Sequence, residues 1–503
     1  MQGGKIETSM TSDRKAYRLT RFVTGGVTPF LLGIIVLIVM SLRHDAWEPC
    51  TQEAGICREL IAGTTVGRQA LVGSCWVAPL PVLFYLPFAW LFREPFAGHA
   101  AFFTACFLVF WSVREAIKAT HPSLWRILLV QCALASMALL PAGPCFSCLP
   151  SVLMMALMIL AGAALSDWAS LRRIRDVVAV GVSGAGLVLC GFCTFVTVGV
   201  SILMLPLLAC GKRETRVRWS AWLLLGGLPF VYTLIVWVLM NRLILGDAFF
   251  FARSLAHLMP GLNQFLYTFF ASGAILMIAL VVTWWCDRRH PLTVGGGAVA
   301  GSAVLICFGV ELMVCARVLT SYGVGWDAMA LQGSALAVLM IALARLRQSL
   351  SRLAASLVLA VYLSSQGLDT QRLIDKQPAA SEITDRIEQF VCDRTLYGRV
   401  FVLGYAGLDL LREYTGDRLV SNMDLHVNSL RRAYPGQNLY VLVPRPEGKR
   451  RSESVFWKYP KMYTLGDERM LYAETFGDWR LFEIIAAPTD KQLDEWQRAR
   501  NLN

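Results

Sequence analysis

The sequence predicts an α-helical polytopic membrane protein of about eleven transmembrane helices with a small α/β soluble domain at its carboxyl end. Three observations lead there. Of 503 residues, 56% are hydrophobic and 16% charged, whereas an ordinary soluble domain carries about a quarter charged residues. Apolar runs, mostly of about 17 to 25 residues, recur from position 25 to 364, and that length crosses a hydrocarbon core as a helix. From 366 to 503 the runs stop and polar residues take over. The plan is therefore a tail (1–24), a membrane domain (25–365) and a soluble domain (366–503), with no internal repeat or low-complexity tract.

The net charge is +12, but the basic residues lie between apolar runs and not in one patch with interleaved aromatics, so nucleic acid is not the expected partner. They cluster at Lys5, Arg14, Lys15, Arg18 and Arg21, at Arg172, Arg173 and Arg175, at Lys212, Arg213, Arg216 and Arg218, at Arg288 and Arg289, and at Arg345, Arg347 and Arg352. Under the positive-inside rule these are cytoplasmic loops, and the amino terminus is cytoplasmic. The first run, 25–42, has no small-residue cleavage site and reads as a retained helix. Ten further spans follow near 99–115, 126–142, 150–168, 177–191, 192–210, 219–241, 264–285, 294–316, 326–344 and 353–365.

The run 76–92 is excluded from that count. It contains Pro79, Pro81 and Pro87, each lacking an amide donor, and counting it would place Arg172 to Arg175 outside. It reads as a re-entrant or interfacial segment of the outer side, where protein or water satisfies its backbone. Eleven crossings then put the soluble domain outside.

Most of the fourteen cysteines fall within apolar spans, where Cys acts as a small hydrophobe. Outer loops hold Cys50, Cys57, Cys75, Cys145 and Cys148. A Cys50–Cys57 bridge suits an oxidising compartment, while the Cys145–Cys148 pair has no His or second pair nearby to make a metal site.

In the carboxyl domain, 399–405 and 438–443 read as buried strands, 408–414 and 425–434 as helices, and the last segment as a hairpin turning at Gly477 and Asp478. Gly404 and Gly407 follow a strand without the full glycine fingerprint, so a plain strand-to-helix connection is expected.

Chemistry is expected where polar residues meet the outer face. The first outer loop, 43–98, is long, and long ordered loops commonly carry function. It opens RHDAWEPC, placing Asp45 just beyond the first helix, and continues LIAGTTVGRQALVGSCWVAPLPVLFYLPF. A second stretch, NRLILGDAFFFARS (241–254), follows a middle helix. Glu311 lies inside an apolar run, where a carboxylate is costly and normally faces a partner or cavity. With Arg317 within about two helical turns, it reads as structural. Asp327 reads as a favourable helix-start charge and Arg242 as a snorkelling side chain.

The acid after the first helix, the following stretch ending in Gly, the Pro-containing apolar segment and the Asn-bearing helix end with Gly246, Asp247 and aromatics together resemble the GT-C superfamily. These are polyprenyl-phosphate-sugar-dependent membrane glycosyltransferases and include protein mannosyltransferases and lipid A aminoarabinose transferases. The resemblance covers the membrane domain, and an outer carboxyl domain is common in that superfamily. It implies transfer of a sugar from a polyprenyl-phosphate donor in the bilayer to an acceptor at the outer face. By position, Asp45 is the implied base or metal ligand. A carboxylate at a partly desolvated face can be tuned for base chemistry. Many relatives carry two adjacent acids; here Ala46 follows, leaving Glu48 as the second acid, so a divalent cation (Mg2+ or Mn2+) is an open cofactor assignment. The leaving phosphate needs a cation in the transition state, for which Arg253, flanked by Asp247 and His257, is best placed, with Arg68 as another phosphate contact. Two other classes stand beside this one. A transporter or lipid flippase would show broken or charged mid-membrane helices in paired halves, a symmetry absent from the sequence. A catalytically silent scaffold on the same fold is the other.

Overall fold

The computed structural model describes residues 22–43, 50–72, 78–118, 124–139, 146, 148–171, 173–191, 194–209, 219–253, 281, 294–321, 325–345 and, with short gaps, 380–485. A π-turn, Val23–Val27, leads into α1 (Thr28–Arg43). Three short helices follow: α2 (Thr51–Ile61), α3 (Thr65–Val72) and α4 (Pro79–Leu91). Then come α5 (Phe96–Lys118), α6 (Leu124–Ser136), α7 (Leu149–Leu171), α8 (Ile174–Cys190), α9 (Phe195–Ala209), α10 (Trp219–Leu245), α11 (Val294–Ser321) and α12 (Gly325–Arg345).

Nine of the eleven expected spans are thus helices among the described residues; 353–365 and all of 264–285 but residue 281 lie outside them. Four segments, Val23–Leu42, Phe96–Lys118, Leu149–Leu171 and Ser220–Leu245, are long and apolar enough to cross a membrane. Their surfaces are compatible with that. Along α10, Leu224, Leu228, Tyr232, Ile235, Leu239 and Leu243 are exposed at helical spacing, a stripe that water would penalise and lipid would not. Helix α7, by contrast, buries nearly every side chain, so it forms the centre of the bundle.

Helix α4 differs from its neighbours. Pro79 and Pro81 fall in its first turn, where no amide donor is required, and Pro87 lies inside it. Thirteen residues rise only about 20 Å, short of the roughly 30 Å hydrocarbon core.

Small residues set the closest helix crossings. Gly181 of α8 lies against the Gly226 carbonyl of α10, and Gly301 of α11 against Ser166 and Ser170 of α7. Trp168 is fully buried, packs at a tilt on Trp222 with ring centroids 4.5 Å apart and donates Nε1–H to the Leu205 carbonyl at 3.0 Å. At the start of the bundle the π-turn leaves the Thr24 carbonyl to an outside partner, and buried Gln131 donates to it at 3.3 Å.

One buried cation defines a face of the bundle. Arg345, the last residue of α12, donates Nε–H to the Ala116 carbonyl at 2.9 Å, Nη1–H to Ser166 Oγ at 2.6 Å, and pairs with Asp167 at 2.8 Å. The ends of α5, α7 and α12 therefore lie together. Since α5 begins directly after α4, its start and that of α7 lie on the opposite face, with α2, α3 and α4.

The carboxyl domain opens with α13 (Ala380–Arg394) and continues β1 (Gly398–Leu403), α14 (Gly404–Leu410), β2 (Leu419–Asn422), α15 (Val427–Ala433), β3 (Asn438–Pro444), α16 (Ser454–Lys458), α17 (Met462–Leu465), β4 (Met470–Phe476) and β5 (Trp479–Ile484). The sheet order is β2-β1-β3-β5-β4. β1 runs parallel to both β2 and β3, with Val400 opposite Leu419 and Tyr440, while β5 is antiparallel to β3 and to β4. Apolar clusters cover both faces of the sheet, which is why β1 and β3 are continuous apolar runs. The expected hairpin is present, with Gly477 at φ 58° in its turn.

Arg345→Ala leaves Asp167 partly buried without its cation, and breaking a buried pair costs about 3 to 5 kcal/mol. The purified protein should melt markedly lower. The double change Arg345→Met with Asp167→Asn should lose much less, and equal losses for the single and double variants would refute the coupling.

Candidate functional site

The face bearing α2, α3 and α4 also receives the end of α10 and the carboxyl domain. Val72, the last residue of α3, presents its carbonyl to α10, where Trp237 Nε1–H and Asn241 Nδ2–H both donate to it at 3.0 Å. Asn241 is wholly buried and donates also to the Trp237 carbonyl at 3.0 Å. The polar pair Trp237 and Asn241, one helical turn apart at the end of an apolar run, was the sequence signal for this junction, and sequence reasoning passed over both residues as contacts.

The chain leaves α10 through Gly246, whose φ of +74° is readily adopted only without a side chain. Asp247 then accepts the Phe249 amide at 3.1 Å and pairs with Arg253 at 3.2 Å. The aromatic run points two ways. Phe251 stacks on Trp237 at 5.4 Å, and Phe250 packs at 4.9 Å against Trp457 of the carboxyl domain. Arg242 bonds the Gly246 carbonyl from an exposed position, so it secures this turn.

Helix α14 makes the other joint. Tyr405 donates Oη–H to the Ala70 carbonyl of α3 at 3.0 Å, and Leu408 lies against Gly55 of α2, where an added β-carbon would be 3.3 Å from the Leu408 carbonyl. The turn that begins α14 contains Gly404 at φ +78°. The Glu453 carboxylate fills the space a side chain would need there and accepts the Ala406 amide at 3.3 Å. The glycine turn is a strand-to-helix connection closed by the chain's own acid.

Of the residues singled out from sequence, Arg253 and Asp247 are together, with the Arg253 side chain 67% exposed. Arg68 is exposed on α3, one turn before Val72. Asp45, Glu48 and His257 lie outside the described residues. Among the described residues no three His, Cys, Asp or Glu side chains gather as a metal site would require. Glu311 is buried in α11, while the side chains of Arg317 and Asp327 lie outside the description.

The expected Cys50–Cys57 bridge is not formed. Cys50 caps α2 and Cys57 lies within it, so two helical turns, about 10 Å, separate residues that a disulfide needs within roughly 7 Å. The Cys50 thiol donates instead to the Gly98 carbonyl at 3.6 Å and Cys57 to the Val82 carbonyl at 3.4 Å. Burial, then the carboxylates of Glu53 and Glu94, push the Cys57 thiol above its ordinary range to about 12.

Neither a protein-family model nor a curated protein matches the chain.

The folded state keeps Cys57 neutral, whereas the unfolded chain ionises it near pH 8.5. Its contribution to stability is therefore complete below that pH and is lost as the pH climbs towards about 12. Melting curves from pH 7 to pH 11 should fall less steeply at the alkaline end for Cys57→Ser than for the parent; superimposable alkaline losses would refute the assignment.

Proposed function

We propose that the chain is an integral membrane glycosyltransferase of GT-C type. It would move a sugar from a polyprenyl-phosphate donor to an acceptor at the face built by α2 to α4, the turn after α10 and the carboxyl domain. In this reading eleven helices cross the membrane, the Arg345 end is cytoplasmic and the carboxyl domain lies outside.

The observation that supports it best is the convergence on one face of the two stretches that resemble the superfamily. The loop opened by Asp45 is bonded to α10 through Val72, and the turn carrying Asp247 and Arg253 follows directly. The Arg253–Asp247 pair is open to solvent, and such pairs contribute little. A lipid phosphate can therefore take the guanidinium from Asp247, with two parallel N–H donors matched to its oxygens. Asp45 would accept the proton of the attacking acceptor group.

Asp45→Asn retains the size of the side chain and removes its basicity. Transfer of labelled sugar from the lipid donor in membranes should fall by at least about a hundredfold, with little change in melting temperature. Full transfer by the asparagine variant would eliminate Asp45 as base.

Arg253→Ala should lower transfer by about a hundredfold, the loss typical of one transition-state donor, without lowering protein yield. Lysine should restore only part, because it makes no bidentate contact. Unchanged transfer by the alanine variant would remove Arg253 from the site.

A further inference from the structure

The face proposed to be external holds thiols that the proposed reaction does not use. Two of them are brought to one level by the packing of α5 and α7. Arg345 bonds both Ala116 of α5 and Ser166 of α7, so these residues share a height in two adjacent helices that run the same way. Counting back eighteen residues from each, about 27 Å of helix, leads to Gly98 on α5 and Cys148 at the entry to α7. The Cys50 sulfur is seated on the Gly98 carbonyl at 3.6 Å. Packed helix axes lie about 8 to 10 Å apart, so Gly98, with the Cys50 sulfur on its carbonyl, and Cys148 fall at one level of two neighbouring helices.

The electrostatics agree with this placement. Burial, then Glu53, then Cys148 and only after it Cys57 hold the Cys50 thiol in its protonated form, well above the usual range. Cys148 has its sulfur 3.0 Å from Ser151 Oγ and is only partly buried. Cys57 is excluded as the partner of Cys50 by the rigidity of α2.

We propose that Cys50 and Cys148 form a disulfide that ties the first loop to the entry of α7. This rests on the external assignment of that face, where a dithiol oxidant is present. The two thiols pass two protons and two electrons to a disulfide-bearing oxidant of that compartment, whose own disulfide is cleaved and which leaves as a dithiol. The effect of the new bond is to hold the start of α2 against the bundle.

The test uses the full chain in membranes, alkylated without reductant and digested with trypsin. The expected product links the peptide 44–58 to the peptide 127–172. Because each contains further cysteines, the link must persist in Cys57→Ser and in Cys145→Ser and disappear in Cys50→Ser and in Cys148→Ser. Alkylation of both Cys50 and Cys148, or a link that vanishes in Cys57→Ser or Cys145→Ser, overturns the proposal. In addition, Cys50→Ser, Cys148→Ser and the double variant should lower the melting temperature by one common shift; additive shifts count against a bond. Labelling of Cys392, exposed on α13, by an impermeant maleimide on intact cells separates the two readings. Cys392 labelled with Cys50 and Cys148 alkylated refutes the disulfide alone, while unlabelled Cys392 refutes the orientation.

Discussion

Every backbone amide and carbonyl placed in hydrocarbon must find its partner in protein, because lipid supplies none. The long helices meet this demand within themselves, and the irregular positions show what happens where they cannot. The π-turn at Val23–Val27 opens the Thr24 carbonyl, and a buried glutamine from α6 closes it. Helix α3 ends at Val72 with an orphan carbonyl, and two side chains of α10 converge on it. The prolines of α4 remove donors only where a first turn spares them or at Pro87.

The same demand explains what the sequence made legible. Apolar runs long enough to be self-satisfying helices stand out from their neighbours, and the two strands of the sheet core do so for the corresponding reason, burial on both faces. Helices α2 and α3 were harder to read because they are short and mixed in character, and their order comes from Leu408 and Tyr405 more than three hundred residues away. The Cys50–Cys57 pairing failed for a local reason, since spacing in sequence says nothing of rigidity until the segment is known to be helical. Arg345 was read as a loop charge; its burial against Ala116, Ser166 and Asp167 depends on three helices that only the fold assembles.

The carboxyl domain contributes position to the proposed site. Its parallel strands have the topology in which ligands often bind beyond the strand ends, at the reversal of strand order. Here Glu453 occupies the turn after β1 and α14 is turned onto the first loop. The domain therefore acts as a brace, with Phe250 against Trp457 as a second contact to the membrane portion. Arg253, close to that contact and paired with the half-buried Asp247, keeps most of its own side chain exposed.

The joints of this face also impose an order on its assembly. The carbonyl of Val72 receives its donors from residues 165 and 169 positions later in the chain, and that of Ala70 from a tyrosine 335 positions later. At synthesis rates of roughly 5 to 20 residues per second, α2 and α3 leave the ribosome tens of seconds ahead of Tyr405. For about the first half of that interval their half-polar surfaces have neither the α10 anchor nor the carboxyl-domain brace, and for the second half they still lack the brace. The first loop is thus among the earliest parts made and among the last to settle, and its geometry certifies that the rest of the molecule has arrived.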